Sequence, residues 1–150
     1  MHRATYLDTY PDVGLGITPK AVEEFLARTG RLYFDARMLF LGQLNMLYLV
    51  ATTKGEIVAY LVASQRFERE IKALYVLPKF QNLGIGQDLM QAALNWLGRG
   101  VVRLSVAIYN TGAIRFYDRW SFEVGAAVTD TSRLAAIGER VVPEVWMFKE

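Results

Sequence analysis

The stretch "EIKALYVLPKFQNLGIGQDLMQAALNWLG", residues 70–98, constrains this chain more than any other. Its opening is apolar on both faces, with Ile71, Ala73 and Tyr75 on one and Leu74 and Val76 on the other. That is the pattern of a central strand, covered above and below. Pro78 ends it, Gly84 and Gly86 punctuate the turn, and Leu89, Ala93, Trp96 and Leu97 then share one face at helical spacing. The helix should stop near Gly98 or Gly100, where a residue free to take positive φ can close it.

The other elements arrange themselves around this unit. Thr18 before Pro19 is a helix start, a hydroxyl cap with proline at the first helical position, and Val22, Phe25 and Leu26 then fall on one face. A second helix is predicted over "LYFDARMLFL", residues 32–41. The runs "MLYLVATT" and "EIVAYLVAS" flank Lys54-Gly55, a tight-turn dipeptide, and so predict a hairpin. After the central unit come a strand "VVRLSVAI", a short helix "TGAIRFYDRW", and a closing strand pair, "FEVGAAV" with "EVWMFK". With no repeat and no low-complexity tract, the 150 residues form one domain, residues 1–150.

Composition removes whole classes of chemistry. At 53% hydrophobic and 21% charged, the chain has the profile of a packed globule rather than a disordered segment. A net charge of +2 with scattered basic residues argues against a nucleic-acid partner. There is no cysteine, and the single histidine is His2. Thiolate nucleophiles, zinc–sulfur sites and histidine triads are therefore implausible, and no metal is expected. What remains is carboxylates, tyrosines, serines and backbone groups. The opening "MHRATYLDTY" has no apolar targeting core, and Met38 to Thr53, interrupted by Gly42, Gln43 and Asn45, falls short of the roughly 20 residues a membrane span needs. The expectation is a cytoplasmic protein with no membrane partner.

The glycine turn can hold more than a change of direction. A helix N-terminus that follows a strand presents unsatisfied N–H groups and a positive dipole, which together attract an anion where no side chain blocks the approach. Two phosphate motifs fail here: a Walker loop requires a Lys after its last glycine, and the dinucleotide fingerprint requires a third glycine where Leu89 stands. A pair of glycines that merely permits a tight turn fits these residues as well.

Wider context favours binding. "QNLGIG", Gln81 to Gly86, resembles in full the Q/R-x-x-G-x-G/A signature that follows a strand ending in V-x-P in the GNAT superfamily of N-acetyltransferases. A second block, "YNTGAIRFYDRWSF", Tyr109 to Phe122, is similar to that family's N-x-x-A-x-x-F-Y-x-x-x-G-F. The resemblance spans about residues 46–149. It implies an α/β fold with a twisted, mixed sheet flanked by helices, acetyl-coenzyme A as co-substrate, and acetyl transfer to a primary amine, of a small molecule or a peptide, by direct attack in a ternary complex. It also implies roles. Leu74 and Val76 would lie along the pantetheine arm, the latter pairing through its backbone. Gln81, Asn82, Leu83, Gly84, Ile85, Gly86 and Gln87 would surround the pyrophosphate. Asn110 would touch the pantetheine, Tyr117 would protonate the leaving sulfur, and Glu70 would act as a water-linked general base.

Each residue has a plainer reading too. Tyr117 suits a core aromatic beside Phe116, Asn110 a helix cap, and Glu70 a solvated strand start, while Arg115, Arg119 and Lys79 either steer phosphates or face solvent. Loss of catalysis with retention of the turn would make the chain a non-catalytic acyl-coenzyme A module, against which the presence of Tyr117 argues. A structural interaction domain would bind no coenzyme. Two departures from the family pattern stand out. Ser121 replaces a glycine, which weakens a left-handed helix end there. "HRATYLDTYPDVGLGIT" resembles the end of the family's first helix, so its first strand reads as absent. Either the chain is truncated or the apolar edge along Met46 to Thr53 is covered, by an N-terminal segment or by a second copy in a homodimer. Tyr6, Tyr10, Asp12 and Asp130 fall in segments that line the acceptor side in relatives and leave the acceptor open.

Overall fold

The computed structural model describes residues 7, 9–12, 14–27, 44–129, 136–137 and 140–150. Strands β1 (Met46–Thr53) and β2 (Glu56–Ser64) form the expected hairpin. Lys54 and Gly55 both carry positive φ, +49° and +81°, the twist that matches two right-handed strands. β3 (Arg69–Val76) follows antiparallel to β2, and β4 (Val102–Ala107) lies parallel to β3. β5 (Glu123–Ala127), the short hairpin β6 (Ala136–Ile137) with β7 (Arg140–Val141), and β8 (Glu144–Lys149) complete the strands. The main sheet has six strands in the order β1-β2-β3-β4-β8-β5, mixed because β3 and β4 alone run parallel.

Helix α1 covers residues 19–27, with Thr18 capping it as expected: its hydroxyl accepts from the Ala21 N–H at 3.1 Å. Helix α2 (Ile85–Leu97) links β3 to β4 and buries Leu89, Met90, Ala93 and Leu97 against the sheet. It ends at Gly98, φ +71°, whose N–H bonds the Leu94 carbonyl. Helix α3 (Thr111–Asp118) packs beside it. The helix predicted over residues 32–41 lies outside the described residues.

α3 ends in a way its sequence argues against. Ser121 takes φ +61°, the conformation a glycine would favour there. The Phe122 N–H reaches back to the Tyr117 carbonyl at 3.1 Å and the Ser121 N–H to the Asp118 carbonyl at 2.8 Å, a double closure of the last turn. Phe122, fully buried, then meets Tyr117 edge-on with ring centroids 6.0 Å apart. Burial of Phe122 outweighs the roughly 1 kcal/mol that a left-handed serine costs.

Two apolar clusters result. The larger lies between the sheet and helices α2 and α3. The smaller joins Tyr10, Ile17 and Val22 from the N-terminal segment to Ala107, Ile137 and Val142. Tyr10, Ile17 and Val22 thus pack by the C-terminal end of β4, and among the described strands β1 is an edge, bonded only to β2.

Candidate functional site

The sheet opens along one seam. β3 and β4 are paired only from Arg69–Ile71 to Val102–Leu104, and beyond that no described strand pairs with this side of β3. The divergence begins at a bulge: Val62 opposes Ala73 and Ala63 opposes Ile71, so Lys72 is an extra residue in β3. A bulge bends its strand and increases the local twist, which swings the C-terminal half of β3 away from β4. The space between becomes a cleft of about 880 Å³, with Leu74, Tyr75 and Val76 along one wall and Tyr109, Asn110 and α3 along the other.

The glycine turn closes one end. Asn82 and Gly84 both sit at positive φ, +59° and +85°, so the chain coils tightly into α2. A side chain at Gly84 would meet nothing within 4 Å, and that side of the turn is open. Gly86 differs: its Cβ would rest 3.6 Å from both Phe116 and Val76, an ordinary contact, so packing within the protein does not itself demand a glycine there. The N–H groups are also unequal. That of Gln81 bonds the Pro78 carbonyl at 3.1 Å and that of Gln87 the Gly84 carbonyl at 2.8 Å. Among the described residues, Asn82 to Gly86 have no backbone acceptor for theirs. Leu83 and Ile85 lie off the cleft lining, the first exposed and the second packed on the core. The Gln81 side-chain amide donates to the Val76 carbonyl at 3.1 Å, tying the turn to the strand end. Arg115 and Arg119 add positive charge to the lining.

Tyr117 lies buried in the cleft wall, edge-on to Phe116 at 5.5 Å. Burial pushes its phenol up to about 12, since a phenolate there would lose its water. Asn110 both lines the cleft and caps α3, its side-chain oxygen accepting from the Ala113 N–H at 3.1 Å.

The far wall comes from three distant segments. The Tyr109 hydroxyl donates to the Tyr10 carbonyl at 3.1 Å, and the hydroxyls of Tyr10 and Tyr75 are 3.0 Å apart. Tyr109 is also pushed up to about 12, first by burial and then by the charges of Asp12 and Glu144. Thr9, Pro11 and Asp12 complete this end. Sequence reasoning had no residue-level signal for Tyr75 or Tyr109 as cleft residues; their position at strand ends, next to Val76 and Asn110, was the available hint. Tyr6 and Asp130 lie outside the described residues.

Glu70 is not brought to this cleft. It stands at the start of β3, four residues before Leu74, or about 13 Å along an extended strand. Its side chain is buried, with Oε2 held 3.1 Å from an Arg103 nitrogen and Oε1 3.2 Å from Lys72 Nζ. Arg103 also pairs with Glu68 and lies over the Trp146 ring, 4.6 Å from its centroid. Neighbouring cations hold this carboxylate in place. Among the described residues no group of three or more His, Asp or Glu side chains could hold a metal, and no helix is long and apolar enough to cross a membrane.

A mixed sheet parted beside a helix N-terminus with free N–H groups is the architecture of a protein that holds an extended, anionic ligand. The chain belongs to the acetyltransferase (GNAT) family, whose model matches residues 16–122. It is similar to an uncharacterised N-acetyltransferase of Methanocaldococcus jannaschii, 42% identical over 57 residues, which are 36% of this chain and 25% of that protein. The match therefore spans only a quarter of that relative. In fold it is similar to the PaiA N-acetyltransferase of Thermoplasma acidophilum, solved with coenzyme A, at a TM-score of 0.74 and 20% identity over 99% of this chain and 87% of that one. It is likewise similar to Ard1 of Thermoplasma volcanium, with a TM-score of 0.56 and 27% identity over 68% of each chain.

Proposed function

We propose that this protein transfers the acetyl group of acetyl-coenzyme A to a primary amine within a ternary complex. The observation that carries the reading is the coincidence, in one cleft, of an unobstructed turn with free N–H groups and a buried phenol. At the turn, the N–H groups of Asn82 to Gly86, the positive end of α2, and Arg115 and Arg119 suit a pyrophosphate. The unpaired edge of β3 near Val76 offers backbone groups to an extended amide-bearing arm, as a neighbouring strand would. The fold neighbour from Thermoplasma acidophilum was solved with coenzyme A, which supports a coenzyme A ligand for this fold.

In this reading the amine nitrogen bonds to the thioester carbonyl carbon while a strand-end N–H near Val76 faces the developing oxyanion. Collapse breaks the C–S bond, and the Tyr117 hydroxyl gives its proton to the departing sulfur; the proton lost by the amine passes to solvent, and an equal proton from solvent restores the phenol. A phenol that stays neutral across the physiological range is suited to donate rather than to accept. Glu70, held by Arg103 and Lys72, takes no part.

Calorimetry with acetyl-coenzyme A, together with an acetylation screen over amines that reads released coenzyme thiol, tests the reading. Binding with turnover of at least one amine is expected. Binding without any turnover would make this a coenzyme-binding module, and no binding would remove both.

A further inference from the structure

Charge is divided along the cleft. Arg115, Arg119 and the N-terminus of α2 make the turn end positive. At the opposite end, Asp12 is the only carboxylate among the described lining residues. We infer that Asp12 anchors a second cationic group on the acceptor, so that the preferred acceptor is a primary amine bearing another positive charge, such as a diamine or a lysine-like cation on a peptide. This rests on the acetyltransferase reading above.

Three observations fix the role. Asp12 is held rigidly: its backbone exchanges two 2.9 Å hydrogen bonds with Ile17, and its Oδ1 accepts from the Leu15 N–H at 2.8 Å. Ile17 is fully buried and neighbouring Tyr10 nearly so, which pins the loop to the smaller core. Only Oδ1 has a hydrogen bond from a described residue, and Oδ2 remains for a ligand. The carboxylate also acts on this wall of the cleft, since its charge contributes to holding Tyr109 protonated.

The chemistry decides between the two nitrogens of such an acceptor. The attacking nitrogen must shed its proton, and a carboxylate beside it would favour the charged, unreactive form. A carboxylate is productive on a nitrogen that stays protonated. Asp12 therefore suits the remote cation, and the phenol rings of Tyr75 and Tyr109 on the same wall provide faces and hydroxyls for the connecting chain.

The test compares 1,5-diaminopentane with n-hexylamine, which matches it in length but lacks the second charge, in the wild type and in Asp12→Asn. Asparagine keeps an oxygen for the Leu15 N–H, so the loop should stay folded. We expect kcat/KM for the diamine to exceed that for the monoamine by about 10- to 100-fold, and Asp12→Asn to erase the preference through KM while leaving the monoamine and acetyl-coenzyme A affinity unchanged. Raised salt should weaken the diamine in the wild type only. An unaltered preference in Asp12→Asn overturns the anchor. Should no amine turn over, the acetyltransferase reading fails on its own. Titration of 1,5-diaminopentane into protein saturated with coenzyme A then decides the anchor: affinity lost in Asp12→Asn supports it, and binding that is absent or indifferent to the substitution overturns it.

Discussion

Replacing Tyr117 by phenylalanine separates packing from proton donation. The ring meets Phe116 and Phe122 edge-on, and phenylalanine keeps both contacts, so stability near neutral pH should change by less than about 1 kcal/mol. Turnover should fall by about 10² to 10⁴, the usual cost of a lost general acid, with acetyl-coenzyme A affinity nearly kept. Alkaline pH gives an independent check. The phenol ionises near 10 in the unfolded chain and near 12 in the folded one. Stability attached to the neutral phenol is complete below pH 10 and is lost as pH rises towards 12, because the unfolded chain sheds its proton first. At pH 11 the wild type should thus have lost about 1.4 kcal/mol more, relative to pH 8, than Tyr117→Phe. Denaturant titrations of both proteins at the two pH values read this difference, and Tyr109, common to both, cancels. For the same reason the wild-type rate should show no decline near pH 10, where an ordinary tyrosine would produce one. Full turnover in Tyr117→Phe would refute the acid, and an equal alkaline loss in the two proteins would refute the burial argument.

Gly84→Ala should cost about 1 kcal/mol of stability through its positive φ alone, since the new Cβ meets nothing, yet weaken acetyl-coenzyme A more than 10-fold by calorimetry. Ser121→Gly should raise stability by about 0.5–1 kcal/mol in urea titration, relieving the left-handed serine at a discount for the looser unfolded chain. Glu70→Ala, which leaves Lys72 without this partner and Arg103 with only Glu68, should destabilise by about 2 kcal/mol while kcat at saturating substrates stays within about twofold; a large loss of kcat would restore Glu70 to the chemistry.

What could be read ahead of the structure was local. Lys54-Gly55, Thr18-Pro19 and the glycines at 84 and 98 each carry their conformation in one or two residues, and each turn or cap formed where its chemistry places it. The cleft itself was not local. Its opening depends on a bulge at Lys72 that appears only when β3 is registered against β2. Its far wall gathers Tyr10, Tyr75 and Tyr109, up to 99 positions apart. Ser121 shows the same limit from the other side: a tertiary contact, the burial of Phe122, overrode a backbone preference that was correctly read. For Glu70, the sequence placed the residue at the start of its strand, but its pairing with Arg103 and Lys72 depends on the parallel register of β3 and β4 and was not legible there.

The brief β3–β4 ladder also has a mechanical consequence. It divides the main sheet into two halves, β1-β2-β3 and β4-β8-β5, stitched over Arg69–Ile71 and reinforced by Arg103 with Glu68 and Glu70. A ligand lying in the gap as a surrogate strand would lengthen that seam and join the halves into a single cooperative unit. Amide exchange should then slow most at Val106 and Ala107 and at the end of β3, far more than in the hairpin β1–β2, which no such ligand would touch. Saturation with coenzyme A should likewise sharpen thermal unfolding as well as raise its midpoint.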